Sequence, residues 1–303
     1  MPGVPASIKK VNMQPMTVDA MSSHEIILHW NLSRESITLG GALTLRAECE
    51  MISKLNGQRI FNVLITPGTN STQAIDSIFE TVFNSSTLVF NIIETADEKF
   101  LYPDSYLTFD RYLFSYSTER IASLVETCKV APKLTWSKEI YSEVDKILAT
   151  LHQEFICMSF KNSGLSIMKG DAEIAIWQEV VRTVSIELGK SVVIVGNDPI
   201  TEDFSQNPCV RFLGREGASL ATQLALSERA RLYVGMASGM ASSVTFSDTP
   251  YLLYKHPEYH AELMNRELRE FDSLPWANYQ QKLIRKIPNT SDVIDSIRGI
   301  LSK

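Results

Sequence analysis

The sequence predicts an α/β protein whose second half, from about residue 151 onward, is a doubly wound domain. Three observations predict it. Short apolar runs of strand length alternate with longer stretches of helical period along the 303-residue chain. In the second half those runs are apolar nearly without interruption, as in strands buried on both faces of a parallel sheet. The length suits two domains. The junction falls in residues 130–154, which divides the chain into 24–150 and 151–303 behind an extension, 1–23, expected to be mobile.

Taken in order, HEIILHW (24–30) is the first strand, and the polar loop NLSRESITLGG follows it. ALTLRAECEMISKL (42–55) has apolar residues at helical spacing and stops at Asn56-Gly57. RIFNVLIT (59–66) is the next strand. After Pro67-Gly68 come a helix at 71–83, a strand at 87–93 and an irregular stretch at 94–110. YLFSYS (112–117) reads as a strand with TERIASLVETC as a helix behind it, and 130–154 holds a proline turn and a helix.

The second half is plainer. FICMSF (155–160) is a strand, and a helix over 171–188 is expected to carry Asp171 as N-cap and Gly189 as C-cap. Strands SVVIVG (191–196), CVRFLG (209–214), RLYVG (231–235) and TPYLLYK (249–255) follow, with helices at 218–230 and 238–246 between them. The chain closes with QKLIRKIP and a capped helix, SDVIDSIRGILSK.

Composition excludes several classes. A net charge of −6 argues against a general nucleic-acid binder, which needs a basic face. No run approaches the roughly 20 apolar residues of a membrane span, and the N-terminus has no apolar core of a signal peptide, so the cytoplasm is the expected compartment. Cys49, Cys128, Cys157 and Cys209 are widely spaced and read as reduced core residues, not as zinc ligands.

In open α/β sheets, ligands bind beyond the carboxyl ends of the strands. That rule selects five loops. Lys161, Asn162 and Lys169 follow the first strand of the second half, where lysines beside glycines can hold a diphosphate or form a solvated loop. Gly196-Asn197 ends the next strand and permits close backbone approach or a plain turn. Gly214-Arg215 can read a base edge and reach a phosphate, or form a tight turn with an exposed ion pair. Ser238, Gly239 and Met240 stand at a strand end before a helix, whose free N–H groups suit an anion; close packing also needs such small residues. Residues 31–41 contain Glu35, either a candidate general base for a hydroxyl nucleophile or a solvated loop acid. Neither a GxGxxG after a first strand nor a GxxxxGK[ST] occurs.

From FICMSF to TPYLLY, and in the segment Val234-Gly235-Met236-Ala237-Ser238-Gly239-Met240 through Thr249-Pro250, the second half resembles the nucleotide-sugar domain of GT-B glycosyltransferases, the heptosyltransferase-like family above all. It departs from that family at Ala237, where many members carry an acid, and in lacking a histidine after Ser-Gly. The resemblance implies two Rossmann-like doubly wound domains facing across a cleft. It implies glycosyl transfer from a nucleotide-diphosphate sugar to an acceptor hydroxyl, with no metal and no cofactor. The acceptor and the oligomeric state are left open. A sugar-nucleotide epimerase and a catalytically silent binding or scaffold protein are the alternatives.

Overall fold

The computed structural model describes residues 25–33, 37–68, 72–97, 100–103, 114–151, 154–161, 171–197, 199–200, 204, 206–259, 261, 264–265, 268 and 273–302. The expected mobile extension lies outside them. Two sheets, parallel throughout, organise the chain.

The first sheet has four strands, β1 (Ile27–Asn31), β2 (Ile60–Thr66), β3 (Val89–Ile93) and β4 (Leu101–Tyr102), in the order β3-β2-β1-β4. Helix α1 (Leu39–Asn56) joins β1 to β2. Thr38 caps it by accepting from the Gly41 N–H at 3.2 Å, and Gly57 stops it with a left-handed φ of 75°. Helices α2 (Thr72–Val82) and α3 (Phe114–Cys128) lie with α1 on one face, where Phe79, Val82, Ile121 and Leu124 meet Leu28, Trp30, Phe61 and Val63. The residues pointing the other way stay outside the core. Ile60 and Val89, paired across β2 and β3, are each 50% exposed. The described part of the connection from β3 to β4 is irregular, with a 3₁₀ turn at Phe100.

Helix α4 (Lys138–Leu148) leads to the second sheet and packs on its helix α6 (Leu220–Ser227). That sheet has six strands, β5 (Phe155–Ser159), β6 (Ser191–Val195), β7 (Val210–Phe212), β8 (Leu232–Met236), β9 (Tyr251–Tyr254) and β10 (Gln281–Ile284). Their order is β10-β9-β8-β5-β6-β7. The chain winds outward from β5 to β7, then returns to β8 on the other side of β5. The strand order therefore reverses between β5 and β8. Strand residues alternate between two cores. Phe155, Cys157, Val193 and Tyr233 join the core that also contains the first sheet. Ile156, Met158, Val192 and Val234 join a second core on the back. There Trp177 of α5 (Ile174–Arg182) and Val293 and Ile297 of α7 (Thr290–Leu301) cover them.

Four expectations change. The strand expected at 112–117 is helical from Phe114, because nothing in SYSTER breaks the 3.6-residue period that places Ile121 and Leu124 against α1. Within the stretch expected to be irregular, Leu101–Tyr102 pairs with β1; two residues before a proline carry too little pattern to declare a strand. Glu173, not Asp171, occupies the N-cap of α5, and it makes no side-chain cap bond. The helix expected at 238–246 consists of two 3₁₀ turns, Met240–Ser242 and Val244–Phe246. QKLIRKIP, to which the sequence assigned no element, supplies β10.

Candidate functional site

Strands β9, β8 and β5 are neighbours, so their carboxyl ends deliver three segments side by side, roughly 4.8 Å apart. They are Lys255 after β9, Ala237-Ser238-Gly239 after β8, and Lys161 after β5. This is the point where strand order reverses, the place where open α/β sheets bind ligands. A cavity of about 350 Å³ opens there, at the low end of small-molecule sites. Lys161, Ala237, Ser238, Gly239 and Lys255 all line it.

The cavity has three walls of different chemistry. The cationic wall is built around Tyr259, whose ring centre lies 4.2 Å from the Lys161 Nζ and 5.7 Å from the Lys255 Nζ. Both ammonium groups are thus gathered over one aromatic ring instead of trailing into solvent. An apolar wall comes from Phe246, Leu253, Met264, Leu268, Trp276 and Leu283. Trp276 is held there by its Nε1, which donates to the Thr245 carbonyl at 2.7 Å, and by stacking on Phe246 at 5.8 Å. The third wall belongs to the first sheet. Thr38, Gly40, Gly41 and Thr44 from the start of α1 line it, with Thr118 of α3. Among the described lining residues there are two lysines and no carboxylate, so the cavity's own field favours an anion.

The two halves meet closely at the floor. A Cβ added to Gly239 would lie 3.0 Å from the Leu39 Cβ and 3.3 Å from the Gly40 nitrogen. One added to Gly40 would lie 2.9 Å from the Ser242 Oγ. Part of the small-residue run 237–243 is therefore occupied in bringing two backbones together.

Of the residues singled out from the sequence, the structure brings Lys161, Ser238 and Gly239 to the cavity. Gly196, Gly214 and Met240 pack on one another beside it. Gly196 has a left-handed φ of 78°, and a Cβ there would meet the Met240 side chain at 2.8 Å. Its N–H is taken by Gln223 Oε1 at 2.8 Å. A Cβ on Gly214 would stand 3.1 Å from the Gly196 carbonyl oxygen. Asn197 is exposed and is not among the lining residues. Arg215 lies over the Phe212 ring at 3.9 Å and donates to the Ile200 carbonyl at 2.8 Å. Glu35, Asn162 and Lys169 lie outside the described residues. The sequence reading did not rank Lys255 or Tyr259. Lys255 was accessible to the carboxyl-end rule, since it directly follows the run YLLY; Tyr259 lies in a turn with no pattern to mark it.

Two parallel α/β sheets that meet beside this cavity have the architecture of the GT-B fold. Among solved structures, the chain is similar to the glycosyl transferase family 9 protein from Veillonella parvula DSM 2008, at 10% identity and a TM-score of 0.55, covering 93% of this chain and 98% of that one. It is also similar to the E. coli ADP-heptose lps heptosyltransferase II, at 11% identity and a TM-score of 0.56, covering 92% of this chain and 99% of that one. No protein-family model and no curated protein sequence matches it. Among the described residues, no group of three or more His, Cys, Asp or Glu could hold a metal ion. No described helix is long and apolar enough to cross a membrane.

Proposed function

We propose that the protein is a glycosyltransferase that moves a sugar from a nucleoside-diphosphate sugar to an acceptor hydroxyl without a metal ion. The observation that carries this reading is the pair of lysines, Lys161 and Lys255, flanking the small residues 237–239 at the switch point of the second sheet. The diphosphate is the leaving group, and its charge grows as the glycosidic bond breaks. Two ammonium groups held in place before reaction offset that charge without reorganising. Small residues between them let the phosphates approach the backbone. The apolar wall from Phe246 to Leu283 suits the flat base of the nucleotide. In this reading residues 151–303 hold the donor, and residues 24–150 offer the acceptor through Thr38, Thr44 and Thr118. Glu35, in the segment after β1, remains the candidate base. The name of the E. coli relative makes an ADP-linked heptose the first donor to test.

A second reading is a binding protein of the same fold without turnover. The contact of Gly239 with Leu39 and Gly40 favours it, because it gives the Ser-Gly segment a purely structural use.

Thermal-shift titration with nucleoside diphosphates and their sugars tests both. A ligand at about 100 times its Kd adds about 2.7 kcal/mol to stability. Lys161→Ala and Lys255→Ala should each weaken diphosphate binding by roughly 10–100-fold, the worth of a hydrogen bond to a charged group. Stabilisation by a nucleoside diphosphate together with sugar transfer supports the enzyme. Stabilisation without transfer to any hydroxyl supports the binding protein. Lysine variants that bind the diphosphate as well as the parent would remove the two-lysine site from either account.

A further inference from the structure

Among the described residues the two sheets have four edges, and three of them are guarded. An open edge offers a row of unpaired N–H and C=O groups to any other strand, and folded chains blunt it with short strands, prolines or charges. β4 is two residues long and is followed by Pro103. β7 is three residues long and carries Arg211, which pairs with Glu216. β10 carries the exposed Lys282. β3, the fourth edge, reads VFNII and has none of these devices. Its Val89 and Ile92 are 50% and 56% exposed, and Ile60, beside Val89, is 50% exposed.

The open part of that edge has a fixed centre. At its start it is closed by the segment before α4. Ser86 and Trp136 form an antiparallel bridge there, the Thr87 N–H donates to the Thr135 carbonyl at 3.3 Å, and the Leu88 N–H donates to the Ser86 Oγ at 3.0 Å. Beyond it the Val89 N–H donates to the Arg59 carbonyl at 2.9 Å, so Val89, Asn91 and Ile93 turn their backbone groups to β2. The alternation of a strand ladder then points the N–H and C=O of Phe90 and Ile92 outward. These two residues lie one on each side of Asn91, which is exposed.

We propose that β3 pairs with β3 of a second copy of this chain, antiparallel, about a two-fold axis at Asn91, joining the four-stranded sheets of the two copies into one. A two-fold dimer needs a patch that complements itself, and the two outward residues supply it. Phe90 of each copy exchanges its N–H and C=O with those of Ile92 in the other. Asn91 faces Asn91 as the non-hydrogen-bonded pair between them. The same register covers the exposed side chains. Ile92 lies opposite Phe90, whose ring is already anchored by Phe61 at 5.7 Å and Phe83 at 5.0 Å. Val89 lies opposite Ile93, with Ile60 at its side. No charged side chain occurs from Val89 to Ile93 to oppose the approach. Glu94 falls opposite Leu88, whose N–H is already taken, so the ladder ends there.

The inference does not depend on glycosyl transfer, and its test needs no ligand. One strand pair with a few apolar side chains is a contact at the small end of specific interfaces, so dimer and monomer should exchange with concentration. Sedimentation equilibrium of the full chain over about 1–200 μM should show a mass rising from that of one chain towards twice that. Ile92→Lys puts a charge at an already exposed position and should keep the mass of one chain throughout, with an unchanged circular dichroism spectrum. Cysteines read the register. Asn91→Cys brings two thiols together at the axis, where the Cα atoms of a non-hydrogen-bonded pair stand about 4.5 Å apart, within disulfide range. Mild oxidation should therefore link two chains. Ile93→Cys, which faces Val89 across the axis, should link no more than the wild type, whose half-buried Cys128 and Cys209 set the background. Should Ile92→Lys fold poorly, the two cysteine variants decide. A wild type with the mass of one chain at every concentration, whether its edge is bare or covered by its own residues 1–24, overturns the pairing. So does a dimer that Ile92→Lys leaves intact, a mass that grows past the dimer, or an Ile93→Cys link as strong as that of Asn91→Cys.

Discussion

At the scale of single residues, space decides more than conformation. Gly235 is in the middle of the second sheet, in β8, where a Cβ would lie 2.2 Å from the Ser159 carbonyl oxygen of β5. No rotamer relieves a clash with backbone, so the two central strands would have to separate. Gly235→Ala should cost about 2–3 kcal/mol, the usual cost of overpacking. In a scanning calorimeter that is a fall in Tm of roughly 4–12 °C. A change under 1 °C would show that the sheet yields at no cost. Those two strands also end in Lys161 and Ser238, so the residue that keeps them close shapes the cavity as well. The sequence displays Gly235 as part of a Val-Gly pair, yet the carbonyl it must avoid lies 76 positions earlier and cannot be read there. Arg46 is similar. A helical pattern marks its face as buried, but only the fold supplies the Trp136 ring and the Val82 and Thr135 carbonyls that make burial of a guanidinium tolerable.

Among the elements, legibility follows length and burial. The five strands read between 155 and 254 are all present in one parallel sheet; four of them, all but the short Val210–Phe212, are buried on two faces, so that their apolar signal is doubled. β4 and β10 were missed, being short and at or near sheet edges. The run 238–246 was read as a helix, since small residues are permissive everywhere. In the structure its first turn must pass Leu39 and Gly40, and it stays a tight 3₁₀ turn. The donor side of the site was therefore half visible: Lys161, Ser238 and Gly239 could be placed by rule, whereas Tyr259 and the threonines of α1 needed the two sheets to be brought together. Helix α7 offers a clean test of local against tertiary control. Asn289 caps it by accepting from the Asp292 N–H at 2.9 Å, and Val293, Ile297 and Ile300 bury its inner face. Gly299 lies on the exposed side with nothing within 4 Å of an added Cβ. Gly299→Ala should therefore stabilise the protein by about 0.5–1 kcal/mol, the helix-propensity difference. Urea melts would register this as a higher midpoint at unchanged slope. A lower midpoint would mean that the outer face of α7 is in contact with something the fold does not show.

For the whole molecule, the telling feature is that one hydrophobic core runs through both sheets. Trp30, Phe61 and Trp136 from the first part share it with Phe155, Leu224, Tyr233 and Tyr251 from the second. Chains of this size often unfold in stages. Here a stage that frees either sheet would open that shared core and break the hydrogen bond from the Trp136 indole to Glu228. Tryptophan fluorescence and far-UV circular dichroism should therefore follow a single coincident transition in urea, although Trp177 reports on a different core from Trp30 and Trp136. Two separated transitions would show that the halves are independent. The same shared core sets an order in time. Synthesis delivers the N-terminal half first, with helices on one face of its sheet and with Arg46 and Trp136 still lacking Glu228. At about 5–20 residues per second, the remaining 150 or so residues take roughly 8–30 s to appear. During that interval the first half's share of the core lacks Phe155, Leu224, Tyr233 and Tyr251, which pack against it in the folded protein. Translation, and not the chain's own rate of collapse, then determines how long that share waits.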